Sequence, residues 1–305
     1  MRIAVTGATG FIGSAICRAA VAEGARVYGF GRRAGADLPG VTYRPWDLAA
    51  GPLEEPPAVD VVVHTAGTVT DWRPPGAGGP SDVDLLRRVL ATFPDARLVH
   101  VSTASVYDPY RPTVAAVESQ APVRRYSTRY AREKADAERL LAGRADTVVL
   151  RPRAVYGPGD RTVLPRFLAA IRGTTLWVPG PATTRQSLTS IGNMTAATLA
   201  ACHAAATGVF NVTDAEPVIL ADALTDVLAE LRLPVRIRSV PVAPAIALAT
   251  AAELVHRCVH SPRPPRLTRY AIAQVAVERT LDISAARARL GYRPTPTSFR
   301  GARHW

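Results

Sequence analysis

Lysine is almost missing from this chain. Among 305 residues, 37 are lysine or arginine, and only Lys134 is lysine. A guanidinium supplies positive charge everywhere else. A lysine kept once therefore points to work that a compact ammonium does and a forked guanidinium does not. Cysteine is scarce as well. Cys17, Cys202 and Cys258 are too few and too scattered for a disulfide framework or a metal site, and they fit a reducing cytoplasm. Long apolar runs are also lacking. The segment Pro241–His256 falls short of the roughly 20 residues that span a bilayer, so it reads as a buried helix and no stable membrane insertion is expected. The chain runs from Met1 straight into an apolar strand, which is not the pattern of a signal peptide.

Runs of more than two arginines are absent too. The net charge of +12 would suit a nucleic acid, but dispersed arginines make no stripe that tracks a phosphate backbone, and no nucleic-acid motif accompanies them. With 48% hydrophobic and 20% charged residues, the chain can hold one large α/β unit or two unequal lobes.

What is present is alternation. Arg2–Thr6, Arg26–Phe30, Val41–Arg44, Val59–His64, Arg97–Ser102 and Thr147–Leu150 read as strands, and Phe11–Glu23, Asp82–Phe93 and Arg125–Leu141 as helices. That order predicts an α/β fold with a Rossmann-type doubly wound parallel sheet. After Pro158 the pattern is less regular. Helices are expected at Val163–Arg172, Ile191–Ala205 and Leu220–Leu231, and strands near Leu176, at Val209–Val212 and at Val235–Arg238. Mainly helices follow to the end. Residues 1–157 then form a dinucleotide-binding domain to which 188–214 return, while 158–187 and 215–305 form a smaller, mostly helical substrate lobe.

Chemistry enters at Thr6-Gly7-Ala8-Thr9-Gly10-Phe11-Ile12-Gly13, directly after the first strand. Gly7 permits a tight turn, Gly10 lets backbone approach a pyrophosphate, and Gly13 lets the helix pack close to the sheet. The helix N-terminus supplies amide donors. The second strand ends in Gly31-Arg32-Arg33, where an acidic residue would favour NAD; two guanidiniums suit the 2′-phosphate of NADP instead. Asp47, with Leu48 beside it after the third strand, could reach an adenine amino group. Tyr130 and Lys134 stand four residues apart, one helical turn, and an ammonium beside a phenol favours phenolate.

TGATGFIG, His64-Thr65-Ala66-Gly67, Ser102-Thr103-Ala104-Ser105-Val106-Tyr107, Tyr130-x-x-x-Lys134 and Arg151-Pro152-Arg153-Ala154-Val155-Tyr156-Gly157-Pro158 occur in one order. Together they resemble the extended short-chain dehydrogenases/reductases, the NAD(P)-dependent epimerase/dehydratase family. The resemblance implies that Tyr130 is the acid/base, that Lys134 lowers its pKa and holds the nicotinamide ribose, and that Thr103 hydrogen-bonds the substrate oxygen, with Ser102 or Ser105 as the alternative hydroxyl and a strand-end cap as the alternative role for Thr103. It places Thr65, Ala66 and Gly67 on the adenosine side and Pro152 and Val155 at the nicotinamide. A homodimer is compatible with it.

Two departures matter. Family members carry an asparagine in the helix after the fourth strand, whereas this chain has only Asn193 and Asn211. Sugar-nucleotide members carry Arg-x-x-Asn where Ala154 stands here, which argues against a sugar nucleotide. The segments Pro265–Tyr270 and Leu281–Pro294 resemble the 3β-hydroxysteroid dehydrogenase-like branch. Arg185 and Asn193 are candidate site-facing residues, as are Asp71 and Trp72, with a helix start capped by Ser190 as the alternative at Asn193. The reading that results is an NADP-preferring enzyme, with NAD as the alternative, that interconverts a hydroxyl and a ketone on a small lipophilic molecule. Its rivals are an epimerase or dehydratase with transient hydride transfer and a non-catalytic dinucleotide sensor.

Overall fold

A computed structural model describes residues 1–67, 72, 76 and 78–305. The first half runs β1 (Arg2–Thr6), α1 (Phe11–Ala22), β2 (Arg26–Gly31), β3 (Val41–Pro45), β4 (Val61–His64), α2 (Asp82–Thr92) and β5 (Arg97–Val101). Next come β6 (Thr113–Ala116), α3 (Arg129–Leu141), β7 (Thr147–Pro152), β8 (Val155–Tyr156), α4 (Val163–Ala169), β9 (Ile171–Arg172) and β10 (Thr175–Pro179). They are followed by β11 (Arg185–Gln186), β12 (Thr189–Ser190), α5 (Ile191–His203) and β13 (Gly208–Val212). The last part is β14 (Val218–Ile219), α6 (Leu220–Glu230), β15 (Arg236–Val240), α7 (Val242–Cys258), α8 (Arg269–Val275), β16 (Arg279–Leu281) and α9 (Ser284–Leu290).

Seven parallel strands form the central sheet in the order β13-β7-β5-β4-β1-β2-β3. β4 and β7 are near-continuous apolar runs, as strands covered on both faces must be. The two-residue side-chain period sends Ile3, Val5, Val63, Val99 and Leu150 into a core shared with α1, α5 and α9. Ala4, Val62, Leu98 and Val149 face α2 and α3. Each such buried Val, Leu or Ile contributes about 1.5–3 kcal/mol by leaving water. The strand order reverses between β1 and β4, and at that point an open α/β sheet leaves a crevice at its carboxyl edge.

The structure shortens some sequence expectations. Thr128 accepts the Ala131 N–H at 3.2 Å, so α3 starts at Arg129 and not at Arg125. The helix expected to reach Arg172 stops at Ala169, because Ile171–Arg172 turn back against β10. β4 begins at Val61, not Val59. The strands β6, β8, β11, β12, β14 and β16 are two to four residues long and carry too little pattern to be legible. Three of the six, β11, β14 and β16, line up with β6 in a four-stranded sheet, so the C-terminal part is less purely helical than expected.

On the α2/α3 face, toward the carboxyl edge, the apolar pattern gives way to polar side chains. Thr6, His64 and His100 lie side by side across β1, β4 and β5. The two imidazoles stack with ring centres 5.4 Å apart, and Thr6 Oγ1 lies 2.7 Å from His64 Nδ1. Burial, reinforced by the nearby charge of Lys134, holds His64 down to about 3 and His100 well below its usual value, so both rings are neutral. One strand further along, Arg151 is buried against Glu138 of α3, with Nη2 2.7 Å from Oε2. All its donors are used: Nε goes to Glu138 Oε1, Nη1 to the Tyr107 hydroxyl and the Glu118 carbonyl, and Nη2 also to the Ala121 carbonyl. The Ser102 hydroxyl completes the carboxylate at 2.5 Å.

Removing one partner of such a pair leaves an uncompensated buried charge. Glu138→Ala should therefore lower stability by about 3–5 kcal/mol. Urea unfolding followed by circular dichroism measures this; a midpoint equal to wild type would show that Arg151 finds another counter-charge.

Candidate active site

The turn after β1 is built by contact, not by sequence alone. A Cβ placed on Gly13 would lie 2.2 Å from the Gly7 carbonyl oxygen, so any side chain there would force α1 off the sheet. Gly10 caps α1 with no side-chain bond. The first amides of the helix are therefore left for a ligand, as a pyrophosphate-binding N-terminus requires. Phe11 and Ile12 open the helix. Thr65 lies beside Gly7, its hydroxyl donating to the Thr6 carbonyl at 2.7 Å, and Ala66 follows. Thr9 faces Gly31 at the end of β2, and Arg32 and Arg33 project exposed just beyond. The Arg33 carbonyl is held by the Tyr43 hydroxyl at 2.8 Å.

Not every expected cofactor residue joins this cluster. Asp47 is exposed and accepts the Ala49 N–H at 2.9 Å, closing its own turn. The Leu48 side chain belongs to the core under α2. Pro152 is buried at the end of β7, and Val155 packs on the α1/α5 core just beyond it.

The catalytic candidates converge at the carboxyl edge. Thr103 follows β5, and its hydroxyl accepts the Ser105 N–H at 3.1 Å, capping a single 3₁₀ turn, Ala104–Val106. The same hydroxyl acts on the phenol of Tyr130, holding its pKa down against burial; Tyr130 is half-buried in the first turn of α3. One turn on, Lys134 is buried, with Nζ 3.1 Å from Asp82 Oδ2 and 3.4 Å from the Val101 carbonyl. Asp82 is the first residue of α2, and 3% of its side chain is exposed. Gly67 closes over this pair. A Cβ on Gly67 would lie 3.0 Å from both the ammonium and the carboxylate.

Asp82 is the functional residue that the sequence reading missed. It opens the helix after β4, where the family asparagine was sought, and puts a carboxylate against the lysine. This corrects the expected electrostatics. Burial pushes the Tyr130 phenol up to about 12, and the Asp82 charge pushes the same way, against the Thr103 hydrogen bond. The phenol is held as an acid chiefly by its burial, and the Asp82 charge adds to that effect.

Other candidates fall elsewhere. Asp71 lies outside the described residues. Trp72 is buried, donating to the Ser261 carbonyl at 3.1 Å, with Arg257 of α7 over its ring. Asn193 is structural: its amide joins Asp214 at 2.6 Å and both backbone groups of Thr295. Ser190 caps α5 by accepting the Asn193 N–H at 3.1 Å. Arg185 is exposed on β11.

Comparison with known proteins agrees with this geometry. The family model described as the NAD dependent epimerase/dehydratase family matches residues 3–213. A 2-alkyl-3-oxoalkanoate reductase of Shewanella oneidensis is 30% identical over 317 aligned residues, covering 94% of this chain and 81% of its own. A 4-hydroxy-2-methyl-3-oxo-4-farnesyl-3,4-dihydroquinoline-1-oxide ketoreductase of Stigmatella aurantiaca is 31% identical, covering 99% of this chain and 94% of its own. Among solved structures, a UDP-glucuronic acid 4-epimerase from Bacillus cereus in complex with NAD superposes with a TM-score of 0.71 at 20% identity. That structure covers 100% of this chain and 94% of its own, and it supports the fold.

Neutralising Asp82 should move the phenol's titration. An unfolded chain loses a tyrosine proton near pH 10, and the folded protein keeps this one to about 12. The stability it contributes is therefore complete below pH 10 and is lost as the pH rises toward 12. In Asp82→Asn the step attributable to Tyr130, read at 295 nm against Tyr130→Phe, should shift to lower pH. An unmoved step would show that Asp82 exerts no field on the phenol.

Proposed function

The chain belongs to the NAD dependent epimerase/dehydratase family and is an NAD(P)-dependent enzyme of the short-chain dehydrogenase/reductase type, and from that premise we propose that it reduces a ketone on a small lipophilic, non-nucleotide molecule, or oxidises the corresponding alcohol, with preference for NADP. The observation that carries this reading is the convergence of Thr103, at the end of β5, with Tyr130 in the first turn of α3 and Lys134 one turn along the same helix, buried 3.4 Å from the Val101 carbonyl. The uncapped start of α1 and the Gly7–Gly13 contact suit a dinucleotide, which supplies hydride to the carbonyl carbon when bound.

This chain's residues then handle the oxygen. Thr103 and Tyr130 hydrogen-bond it, and as hydride arrives the Tyr130 proton passes to the forming alkoxide. Lys134 lies one turn away to stabilise the phenolate left behind. A phenol raised by burial suits this role, because it stays protonated at neutral pH until the far more basic alkoxide takes its proton. Residues 1–157 and 188–214 would hold the cofactor, and 158–187 with 215–305 would hold the substrate.

Two observations favour a lipophilic ketone over a sugar nucleotide. Ala154 replaces the asparagine of sugar-nucleotide members. In addition, a small pocket between α4, α6 and the C-terminal residues is lined by apolar side chains such as Leu164, Phe167, Leu224 and Phe299. The two relatives described above are both named as reductases of oxo compounds. Arg32 and Arg33 support NADP.

Tyr130→Phe should lower turnover about 10²–10⁴-fold while NADPH still binds. The assay is consumption of NADPH at 340 nm with a panel of lipophilic 3-oxo compounds. Turnover without net NADPH loss would favour transient hydride transfer, as in an epimerase. Replacing Arg32 and Arg33 together by alanine should weaken NADPH binding about 10–100-fold and leave NADH binding nearly unchanged, if the two exposed guanidiniums together supply the worth of one charge-assisted contact, about 1.5–3 kcal/mol. Equal loss for both dinucleotides would refute the NADP assignment.

A further inference from the structure

Two arginines near the candidate active site are buried, and neither forms an ion pair with a carboxylate among the described residues. Arg153 follows β7 and is 7% exposed; Arg279 begins β16 and is 5% exposed. Arg151, only two residues before Arg153, is paired with Glu138, so burial in this fold is ordinarily matched by a carboxylate. Arg153 instead meets neutral oxygens only. Nη1 donates to the Ser187 carbonyl at 2.9 Å, and Nη2 to Gln186 Oε1 at 2.6 Å and the Gln274 carbonyl at 2.8 Å. Its Nε and its second Nη1 hydrogen have no acceptor among the described residues. The donors of Arg279 are all spent on the backbone carbonyls of Asp108, Pro109, Arg111 and Ala273.

Both guanidiniums line one small cleft with Ser105, Ser127 and Tyr270. Ser105 connects that cleft to the catalytic pair. Its hydroxyl lies 3.2 Å from Thr103 Oγ1 and 2.8 Å from the Tyr270 hydroxyl. Asp108 also borders the cleft, with one carboxylate oxygen accepting the Tyr110 N–H at 2.8 Å, and its charge acts on Arg279. Arg153 gains nothing from it. Burial and the like charge of Arg279 together bring Arg153 down to about 9, the signature of a cation lacking its anion.

We propose that Arg153 is a substrate-binding residue that takes a carboxylate, so that the ketone reduced at Thr103 and Tyr130 belongs to an oxo acid whose acidic group sits near the carbonyl. This rests on the ketone-reducing reading above. A 3-oxo acid places its carboxylate two carbons from the carbonyl, and the cleft begins two hydrogen bonds from Thr103. The guanidinium's free Nε and Nη1 hydrogens suit a bidentate carboxylate. Gln186, which orients Arg153 through Oε1, also lines the apolar cavity, so an alkyl chain and an acid group would have adjoining places.

The test compares a freshly prepared 2-alkyl-3-oxoalkanoate with its methyl ester, in wild type, Arg153→Gln and Arg153→Lys. Wild type should favour the acid in kcat/KM by about 10–100-fold, the value of a charge-assisted pair of about 1.5–3 kcal/mol. In Arg153→Gln that ratio should collapse toward one, chiefly through KM, and Arg153→Lys should keep part of it. Calorimetric binding of the 3-hydroxy acid and its methyl ester gives the same comparison without turnover. A wild-type enzyme that binds acid and ester equally would overturn the proposal, even if neither variant folds. So would an acid preference that Arg153→Gln retains. Acid-selective binding that Arg153→Gln abolishes, with no reduction of any ketone, would uphold the anion site and sink the ketone-reducing reading alone.

Discussion

Two contacts one turn apart on α3 decide how this sheet is covered. Lys134 meets Asp82 of α2, and Glu138 meets Arg151 of β7. Charges taken out of water are tolerated only where the partner is close and the remaining donors and acceptors are used. The Arg151–Glu138 pair meets that condition in full, and Lys134 has the Val101 carbonyl as well as Asp82, so the two contacts tie α2, α3 and β7 together. The placement of Tyr130 follows, because it stands one turn before Lys134 on the same helix. Thr103 is delivered by β5, the strand between those pairs. The reacting groups inherit their positions from buried charge compensation as much as from apolar packing.

The two faces of the sheet divide the work. The face under α1, α5 and α9 is mainly apolar, with Arg97 donating to the Ala201 carbonyl of α5, and it underlies the turn after β1. The face under α2 and α3 is apolar only near its centre. Toward the carboxyl edge it becomes a row of Thr6, His64, His100, Ser102 and Arg151. The neutral imidazoles fill space beside Lys134 without adding charge. A protonated ring there would compete with Lys134 for Asp82, and burial prevents it.

Much of this was legible in the sequence, for identifiable reasons. The glycine turn, the alternation of strands and helices, and the Tyr130–Lys134 spacing are local patterns, and local patterns survive in a string of letters. Asp82 was not legible. An aspartate after a Pro/Gly-rich loop, beside Ser81, looks like a helix cap, and its partner is 52 residues away at Lys134. Arg153 was hidden differently: in a chain this rich in arginine, nothing marks the one that is buried without a carboxylate. The direction of the Tyr130 shift was misjudged because burial, its largest cause, is a property of the folded chain, and the Asp82 charge that adds to it comes from another helix.

Because Lys134 is the chain's one lysine and lies sealed under Gly67 against Asp82, the described exterior carries its positive charge on guanidinium alone. Reagents that seek ε-amines, whether acylating agents, cross-linkers or aldehydes, have one lysine target, and reaching it requires the active site to open. The composition thus makes the protein its own single-site probe: any lysine adduct on the folded chain is a record of how often the Asp82 contact parts.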